Sequence, residues 1–297
     1  MLGILPIHKP AGITSHDVVN TVKFALNPKG TPKSERIKVG HAGTLDPFAT
    51  GVLLVMIGKA TRLEQFLHAH SKTYEATIQL GSSTTTDDTE GEILETQPVP
   101  ELPNRTTLEV QLRNTFTGTL QQLPPTYAAI KQNGKKQYEL AREGKAVHKK
   151  PREVEIHAIE VLECRAETNE IEIRVEVGTG TYVRALGRDI GEFLNTKAHL
   201  TRLVRTRIGP VVLESCIDPE IRSLEHIAQH LLPVSGPLLG MQEVSLSTEQ
   251  RIAFEQGQPV ENLHVEPGHY ALALDQAQPI AIIETREHQT WPKIVLT

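Results

Sequence analysis

One carboxylate in the sequence is presented in a way that suits chemistry. Asp46 lies in a loop that contains Gly40, Gly43 and Gly51, and Pro47 follows it directly. A residue before proline is pushed towards extended backbone geometry, while glycine allows another backbone or a ligand to come close. A side chain held on such a stiffened turn can serve as a nucleophile or as a base. Taken alone, the same residues also suit an Asx turn, in which Asp46 bonds to its own backbone.

Other chemical patterns in the sequence are incomplete. Lys59 follows Gly58, but Ala60 comes next and Leu53 stands where a phosphate-binding loop needs glycine. In GTGTYV, Val183 occupies the place of the third glycine of a dinucleotide fingerprint. The chain has no CxxC or HExxH pattern, so we expect neither a metal nor another cofactor.

Two neighbouring acids, Asp87 and Asp88, lie in the polar stretch 81–91, GSSTTTDDTEG. Adjacent carboxylates could bind a metal or exchange a proton. In so polar a segment we favour a loop that shapes the rim of a site.

Composition places the chain among soluble globular proteins. Its 297 residues suit one large and one small domain, and 38% of them are hydrophobic. No apolar run approaches the ~20 residues of a membrane span, and the N-terminal stretch lacks the features of a signal peptide. Cys164 and Cys216 are far apart in sequence, which favours two reduced thiols and a cytoplasmic location over a disulfide.

The net charge of −5 is unevenly distributed. Residues 214–297 hold twelve acidic residues and four Lys or Arg, so residues 1–213 carry a net charge of +3. Three local patches are basic: 23–38, 131–152 and 184–207. Such patches can bind phosphates, although many are only solvated surface.

Hydrophobic periodicity predicts the elements that position these residues. The apolar run Val52–Ile57 predicts a buried strand directly after the Asp46 loop. Ser15 is a candidate N-cap for a helix whose apolar face contains Val18, Val19, Val22 and Leu26.

Alternation of apolar and polar residues predicts antiparallel strands at 153–164 and 170–177, and further strands at 72–80 and 200–208. A helix with Leu186, Ile190 and Leu194 facing inward would project Arg184 from its first turn. We therefore expect an α+β (mixed α/β) fold around a mostly antiparallel sheet.

Five separated motifs, found in order along residues 3–208, resemble those of the TruB family of pseudouridine synthases. They are KPxGxTS at 9–15, GTLDPxAxGVL at 43–53, TxTxDxxG at 84–91, LPPxYxAIKxxGxxxYxLAR at 123–142 and GTYxRxLxxDxG at 180–191. In the fourth motif, Ala128 replaces a serine that is usual in the family.

The resemblance implies roles for individual side chains. Asp46 falls on the catalytic aspartate, and Tyr74 on a tyrosine that stacks on the target base and can take a proton. Leu203 falls on an apolar floor, and we assign Arg184 to an ion pair with Asp46 because a guanidinium can bind a carboxylate in bidentate fashion. His41 matches the residue that fills the space left by a flipped base.

Contacts with RNA are expected at a wider set of residues. Aromatic side chains among basic ones, as in 123–144, suit base stacking and phosphate contacts, and 131–152 is expected to clamp RNA. The residues assigned to RNA binding are His41, Lys9, Asp88, Tyr182, Lys131, Lys135, Lys136, Lys149, Lys150 and Arg152.

The implied reaction converts uridine 55 in the T-arm loop of tRNA to pseudouridine, with tRNA as the partner and a monomer as the expected state. Asp46 would attack either C1′ of the ribose or C6 of the uracil, and the residues leave both possibilities open. Alternatives are a guide-RNA-dependent synthase subunit, a tRNA-binding or tRNA-folding protein, and an aspartate-based hydrolase. The expected catalytic domain is 1–235, followed by a small PUA-like β-barrel at 236–297.

Overall fold

The structure is a computed structural model that describes residues 1–126, 131–132, 135–136, 150–221, 223–261 and 263–297. The α-helices are α1 (Ser15–Leu26), α2 (Glu64–Ala69), α3 (Arg105–Phe116), α4 (Val183–Phe193), α5 (Leu224–His230), α6 (Gly236–Leu239) and α7 (Thr248–Glu255), and Gly58–Leu63 and Leu213–Ser215 form 3-10 helices.

The strands are β1 (Gly3–Lys9), β2 (Val39–Ala42), β3 (Thr50–Ile57), β4 (Lys72–Leu80), β5 (Ser82–Thr84), β6 (Ile93–Thr96), β7 (Gly118–Gln122), β8 (Lys131–Gln132), β9 (Lys135–Lys136), β10 (Arg152–Arg165), β11 (Glu170–Val177), β12 (Ala198–Ile208), β13 (Val211–Val212), β14 (Gln242–Ser245), β15 (Val260–Glu261), β16 (Tyr270–Asp275), β17 (Gln278–Arg286) and β18 (Gln289–Val295).

The chain forms two compact units, both discontinuous in sequence. Unit 1 contains Met1–Asp46, Val52–His70 and Gly209–Thr297, and unit 2 contains Pro47–Gly51 and Ser71–Ile208. Strand β3 therefore begins in unit 2 and continues in unit 1. The division at residue 235 that the sequence suggests remains a prediction.

The core of unit 1 is built by α1 and by β1, β2 and β3. β3 pairs with β1 and runs antiparallel to β2, so that His41 faces Val55 across the ladder. The predicted apolar face of α1 is buried, and Val18, Val22 and Leu26 pack in one cluster with Leu53 and Val55. The predictions of a buried strand after the Asp46 loop and of an amphipathic helix before it are thus confirmed.

The predicted N-cap of α1 is wrong by one residue. Thr14, not Ser15, has the extended backbone of a cap, and it forms a capping box with Asp17. The hydrogen bonds from Thr14 hold the pKa of the Asp17 carboxyl below its ordinary value. Ser15 is already helical and buried, and its hydroxyl bonds to Leu45 instead.

The C-terminal part of unit 1 is a five-stranded curled half-barrel, consistent with a PUA-like domain, in the order β14-β16-β17-β18-β15. Phe254 of α7 is fully buried within its core cluster. Several contacts join this C-terminal part of unit 1 to residues 59–70, among them a bond from Lys59 to the carbonyl of Thr297. The Phe66 and Tyr270 rings meet edge to face at 5.3 Å, Arg62 donates to the carbonyl of Val295 at 2.9 Å, and His70 bonds to Leu238 O at 2.7 Å.

Unit 2 is organised around a mostly antiparallel sheet, as the alternating strands predict. The order is β12-β4-β11-β10-β7, and each pair of neighbours is antiparallel. Helix α3 packs on β10 and α4 on β12. Ion pairs cover a more exposed face of the sheet, where Arg174 binds Glu75 and Arg202 binds Glu172, both at 2.9 Å. This mixed α/β arrangement confirms the predicted fold class.

One glycine permits an unusually close approach of two backbones in unit 2. Thr50 and Gly51 of β3 pair in parallel with Val204 and Arg205 of β12. Gly51 has φ +114°, and a Cβ atom there would lie 2.2 Å from the carbonyl oxygen of Arg205. Only glycine fits this position without moving β12.

We expect Gly51→Ala to lower the free energy of unfolding by about 3 kcal/mol, because it adds a backbone clash to the cost of a positive φ. Gly118→Ala is the matched control, since Gly118 has φ +100° and nothing within 4 Å of its missing Cβ. Urea titration of both variants measures the difference. Equal losses in the two proteins would contradict the proposed clash with Arg205.

Candidate active site

The middle of the unit 2 sheet brings Tyr74, Leu203 and Arg205 together. Across the antiparallel ladder of β4 and β12, Arg205 faces Tyr74 and Leu203 faces Ala76. Because side chains alternate along a strand and paired residues share a face, these four residues lie on one side of the sheet. Tyr74, Leu203 and Arg205 are all buried. The sheet therefore places an aromatic ring, an aliphatic side chain and a guanidinium next to one another.

Tyr74 and Arg205 contact each other directly. A guanidinium nitrogen of Arg205 lies 3.5 Å from the Tyr74 hydroxyl, and the centre of the guanidinium is 6.0 Å from the centroid of the ring. The first distance is long for a hydrogen bond, so the attraction is mainly electrostatic. A cation near an aromatic ring restricts the orientation of that ring.

A second buried cation lies near Tyr74. Lys72 is two residues before Tyr74 on β4, and its ammonium is 3.3 Å from the hydroxyl of Thr179. Burial, together with the charge of Arg205, lowers the pKa of Lys72 to about 8. At neutral pH Lys72 therefore still carries its proton, which it loses near pH 8 rather than near the ordinary lysine value.

Arg184, on the first turn of α4, is buried beside the 84–91 loop. It donates to Asp88 Oδ2 at 3.1 Å and to the carbonyl of Thr86 at 2.8 Å. Asp88 is itself 1% exposed, and its other oxygen accepts bonds from Thr86 and from the backbone of Glu90. Asp88 thus fixes the guanidinium of Arg184. The predicted ion pair of Arg184 with Asp46 remains a prediction.

Arg188, one turn further along α4, connects three segments of unit 2. It binds Asp87 at 3.0 Å, Asp189 at 2.8 Å and the carbonyl of Leu123 at 2.8 Å. Burial raises the pKa of Asp189, an effect that Arg188 partly offsets. Asp87 and Asp88 therefore bind two different arginines of one helix, which supports their assignment to a rim-shaping loop.

Tyr182 immediately precedes α4. Its backbone N–H donates to the side chain of Gln122 at 2.9 Å, and its carbonyl accepts from the same amide at 3.1 Å. The side chain of Tyr182 is half-buried. The two bonds fix the entry to α4, while the predicted RNA contact of Tyr182 is untested.

In unit 1, both backbone polar groups of Leu45, the residue before Asp46, bond to the hydroxyl of Ser15. The backbone N–H of Leu45 donates to the Ser15 hydroxyl at 2.8 Å, and that hydroxyl donates to the Leu45 carbonyl at 3.0 Å. Leu45 is buried and Asp46 is half-buried. The start of α1 thereby positions the loop that carries the carboxylate.

Two other predicted RNA-binding residues of unit 1 have different surroundings. His41 is half-buried on β2 and lines a surface pocket with Gly40 and Met56. Lys9 is fully buried, and its ammonium donates to the carbonyls of Pro10 and Ile13 at 2.8 Å each. This placement favours a role for Lys9 in holding the 9–14 turn over direct contact with RNA.

The predicted RNA clamp is only partly described. Lys131 and Lys136 pair across a short antiparallel ladder, as do Gln132 and Lys135. Lys150 and Arg152 are exposed, and Arg152 starts β10. Lys149, along with 127–130, 133–134 and 137–148, lies outside the described residues.

The sequence did not indicate four residues near the site, namely Lys72, Arg188, Arg205 and Ser15. Ser15 matters through its hydrogen bonds to the backbone of Leu45. Strand alternation alone could have placed Lys72 on the face of Tyr74, and Arg205 on that of Leu203. No pattern indicated the bonds of Ser15 and Arg188, because their partners are distant in sequence.

Within the described part of the chain, no three His, Cys, Asp or Glu side chains group in a way that could hold a metal ion. No helix of that part has the length and hydrophobicity needed to cross a membrane.

Comparison with known proteins identifies the family. Residues 31–183 match the family model described as the N-terminal domain of TruB family pseudouridylate synthases. A tRNA pseudouridine synthase B of Bacteroides fragilis is 49% identical over 217 residues, which cover 73% of this chain and 90% of that protein. A tRNA pseudouridine synthase B of Bacillus cereus is 44% identical over 224 residues, which cover 74% of this chain and 70% of that protein.

The chain belongs to the TruB family of pseudouridylate synthases. Members of this family are isomerases, so the alternative of an aspartate-based hydrolase has no support. Three of the five motifs lie within the matched region, the motif at 180–191 overlaps its end, and the motif at 9–15 precedes it.

Solved structures agree on the fold. A Cbf5–Nop10–Gar1 complex contains a chain that is 26% identical, with a TM-score of 0.69, covering 95% of this chain and 78% of the other. A chain from an H/ACA RNP bound to a substrate RNA containing 2′-deoxyuridine is 23% identical, with a TM-score of 0.70. The match covers 99% of this chain and 85% of the other. Both matches extend over the C-terminal half-barrel, which supports its PUA-like character.

The depressed pKa of Lys72 predicts a dependence of stability on pH. Between about pH 8 and the ordinary lysine value of 10.5, the unfolded chain binds more protons at this site than the folded one. Stability contributed by this group therefore rises with pH across that window, by about 2–3 kcal/mol in total. Below pH 8 both states are protonated, and the full cost of the buried charge is present.

We expect the free energy of unfolding of wild type, relative to Lys72→Met, to increase between pH 7.5 and 10. Urea titrations of both proteins at each pH measure this difference and cancel the titration of all other groups. Lys33→Met, which alters an exposed lysine, is the control and should follow wild type. A constant difference between wild type and Lys72→Met would show that Lys72 titrates normally.

Proposed function

We propose that the protein converts uridine 55 in the T-arm loop of tRNA to pseudouridine. The relatives of Bacteroides fragilis and Bacillus cereus are named as tRNA pseudouridine synthases B, which supports tRNA as the substrate class. The position within tRNA follows from the resemblance of the motifs to bacterial members of the family.

The reaction breaks the N1–C1′ bond, rotates the detached uracil and forms a C5–C1′ bond. The proton on C5 is removed and N1 gains a proton, so the product is an isomer of the substrate. The step requires a carboxylate nucleophile and a site that retains the free base. Asp46 supplies the nucleophile, attacking either C1′ or C6.

The observation that carries the proposal is the shared face of Tyr74, Leu203 and Arg205. A flipped uracil needs one aromatic surface to stack on and one apolar surface below it, and this face offers both. We assign removal of the C5 proton to the Tyr74 hydroxyl, and its contact with Arg205 supports this role by restricting the position of the hydroxyl beside the face on which the base would stack.

Arg184 pairs with Asp46 in this proposal and keeps the carboxylate ionised as the site closes. Its bonds to Asp88 and to the Thr86 carbonyl support the role, since they hold the guanidinium in one orientation. A fixed fork of donors can bind a carboxylate in bidentate fashion, whereas an ammonium cannot.

His41 fills the gap in the RNA that the flipped uridine leaves. Unstacking a base costs a few kcal/mol, and a side chain that occupies the vacated space recovers part of this cost. The half-buried position of His41, in the strand before the Asp46 loop, is compatible with that role.

The deciding assay measures pseudouridine in an unmodified tRNA transcript, with no added cofactor and with EDTA present. Wild type should form one pseudouridine, at position 55, and Asp46→Asn should form none while still binding the tRNA. A transcript with cytidine in place of uridine 55 is the substrate control. Equal product from wild type and Asp46→Asn would place the nucleophile elsewhere.

The same assay separates the alternatives. Binding of the naked transcript without product would favour a guide-RNA-dependent enzyme, a possibility raised by the fold shared with the Cbf5–Nop10–Gar1 complex. In that event, a guide RNA complementary to the substrate should restore activity. A tRNA-folding role would be indicated if Asp46→Asn still promoted tRNA folding.

We further expect Arg184→Lys to lose at least 100-fold in the single-turnover rate, because an ammonium cannot replace a bidentate guanidinium. Circular dichroism should show an unchanged fold. Arg202→Lys is the matched control: Arg202 lies on β12, but it is exposed and binds Glu172 on the other face of the sheet. Wild-type turnover by Arg184→Lys would refute the ion pair.

A further inference from the structure

Arg188, on α4, has contacts that the proposed chemistry does not yet use. It lies four residues after Arg184, so the two side chains share one face of the helix. Nη1 of Arg188 donates to Asp87 Oδ2 at 3.0 Å, and Nη2 donates to Leu123 O at 2.8 Å. Nε and Nη2 also donate to Asp189 Oδ1, at 3.0 and 2.8 Å. With 18% of its side chain exposed, Arg188 thus uses most of the five donors of a guanidinium.

Asp87 has a backbone conformation that is uncommon outside glycine. Its φ is +59°, in the left-handed region, which aspartate tolerates better than most residues. Its carbonyl accepts from Leu200 N at 3.0 Å, so the loop is also anchored to β12. The residue is 8% exposed, and a carboxylate buried to this extent requires a compensating charge. Arg188 supplies such a charge.

Asp87 also lies between the two residues that orient Arg184. The guanidinium of Arg184 donates to the Thr86 carbonyl at 2.8 Å and to Asp88 Oδ2 at 3.1 Å. Thr86 immediately precedes Asp87, and Asp88 immediately follows it. Because consecutive residues are joined by bonds of fixed length, a displacement of Asp87 moves both acceptors of Arg184. The pair of Asp87 with Arg188 and the guanidinium of Arg184 are thus linked through three consecutive residues.

Arg188 further ties α4 to the end of β7. Leu123, whose carbonyl accepts from Arg188, directly follows that strand. At the start of the helix, the side chain of Gln122 bonds to the backbone of Tyr182 in both directions. The helix is therefore attached to β7 at its start and again in its second turn. Both attachments restrict movements of α4 that would carry Arg184 with them.

The sequence motifs do not assign either member of the pair. Positions 87 and 188 are open in TxTxDxxG and in GTYxRxLxxDxG, whereas Asp88 and Arg184 are part of those motifs. The pair of Asp87 with Arg188 is therefore an addition to the residues that the motifs indicate.

We propose that Arg188 is a positioning residue for the reaction and acts through Arg184. By holding Asp87, it places the Thr86 carbonyl and Asp88 where they fix the guanidinium of Arg184 in the orientation that the nucleophile requires. This inference rests on the proposed function for the role of Arg184. Arg188 touches neither the substrate nor the nucleophile in this role. Its loss should therefore slow the chemical step and leave tRNA binding unchanged.

The test compares Arg188→Met, which removes the charge, with Arg188→Lys, which keeps it. Arg174→Met is the matched control, because Arg174 belongs to the same unit and likewise loses two carboxylate partners, Glu75 and Glu160, each at 2.9 Å. The readouts are the single-turnover rate at saturating tRNA, the dissociation constant for tRNA, and the NMR cross-peak of Arg184 Nε–Hε in protein without tRNA. Circular dichroism checks that each variant is folded at the assay temperature.

We expect Arg188→Met to lose about tenfold in the single-turnover rate, because a small displacement of Arg184 is enough for such a loss. Its dissociation constant for tRNA should stay within about twofold of wild type. Arg188→Lys should lose about threefold, since an ammonium can bind Asp87 but lacks the fork that reaches all three partners. It decides the question if Arg188→Met does not fold.

The control should differ from both variants. Arg174→Met should keep the wild-type rate and the wild-type cross-peak of Arg184, whereas that cross-peak should shift or broaden in Arg188→Met. Wild-type turnover by the Arg188 variants would overturn the inference, and so would an equal loss of rate in Arg174→Met.

A double variant tests whether Arg188 acts through Arg184. In that case Arg184→Lys/Arg188→Met should lose no more than about twofold beyond Arg184→Lys alone. Independent effects would multiply, so a further loss of about tenfold would contradict the inference.

The NMR measurement separates this inference from the proposed function. No pseudouridine from wild type, combined with an altered Arg184 cross-peak in Arg188→Met, would reject the proposed activity and keep Arg188 as the residue that positions Arg184. Product from wild type, with an unaltered cross-peak and rate in Arg188→Met, would reject the role of Arg188 alone.

Discussion

The close approach of Gly51 to Arg205 is the constraint on which the rest of the site depends. The carbonyl oxygen of Arg205 lies 2.2 Å from the position that a Cβ atom on Gly51 would take, so no side chain fits at residue 51 unless one of the two backbones moves. This close approach fixes Thr50 and Gly51, which follow the Asp46 loop, against Val204 and Arg205 of β12. The guanidinium of Arg205 in turn contacts Tyr74. The parallel pairing is only two residues long, and a short ladder can be displaced by one bulky side chain. The conformation of the loop and the position of the Tyr74 face are therefore linked through backbone geometry.

Unit 2 also buries several charged side chains next to the proposed site. Lys72, Arg184 and Arg205 are buried, as are Asp87 and Asp88, so this buried group has more cations than anions. Burying a cation is costly, and the lowered pKa of Lys72 is a direct expression of that cost. Such an arrangement stabilises negative charge that arrives with a ligand or develops during a reaction. The phosphates of an RNA ligand carry charge of the required sign.

Much of the fold could be predicted from the sequence because its signals are local. The strand of Val52–Ile57, the apolar face of α1 and the alternating hairpin of β10 and β11 follow from periodicity within a few residues. The motifs likewise indicated Asp46, Tyr74, Arg184 and Leu203 as members of one site. The partners of these residues could not be predicted in the same way. Asp88 binds Arg184 across 96 residues and Ser15 binds Leu45 across 30, and such pairings depend on tertiary packing. The shift of the N-cap from Ser15 to Thr14 has the same origin, since a tertiary bond to Leu45 occupies the hydroxyl that local propensity would have used for capping.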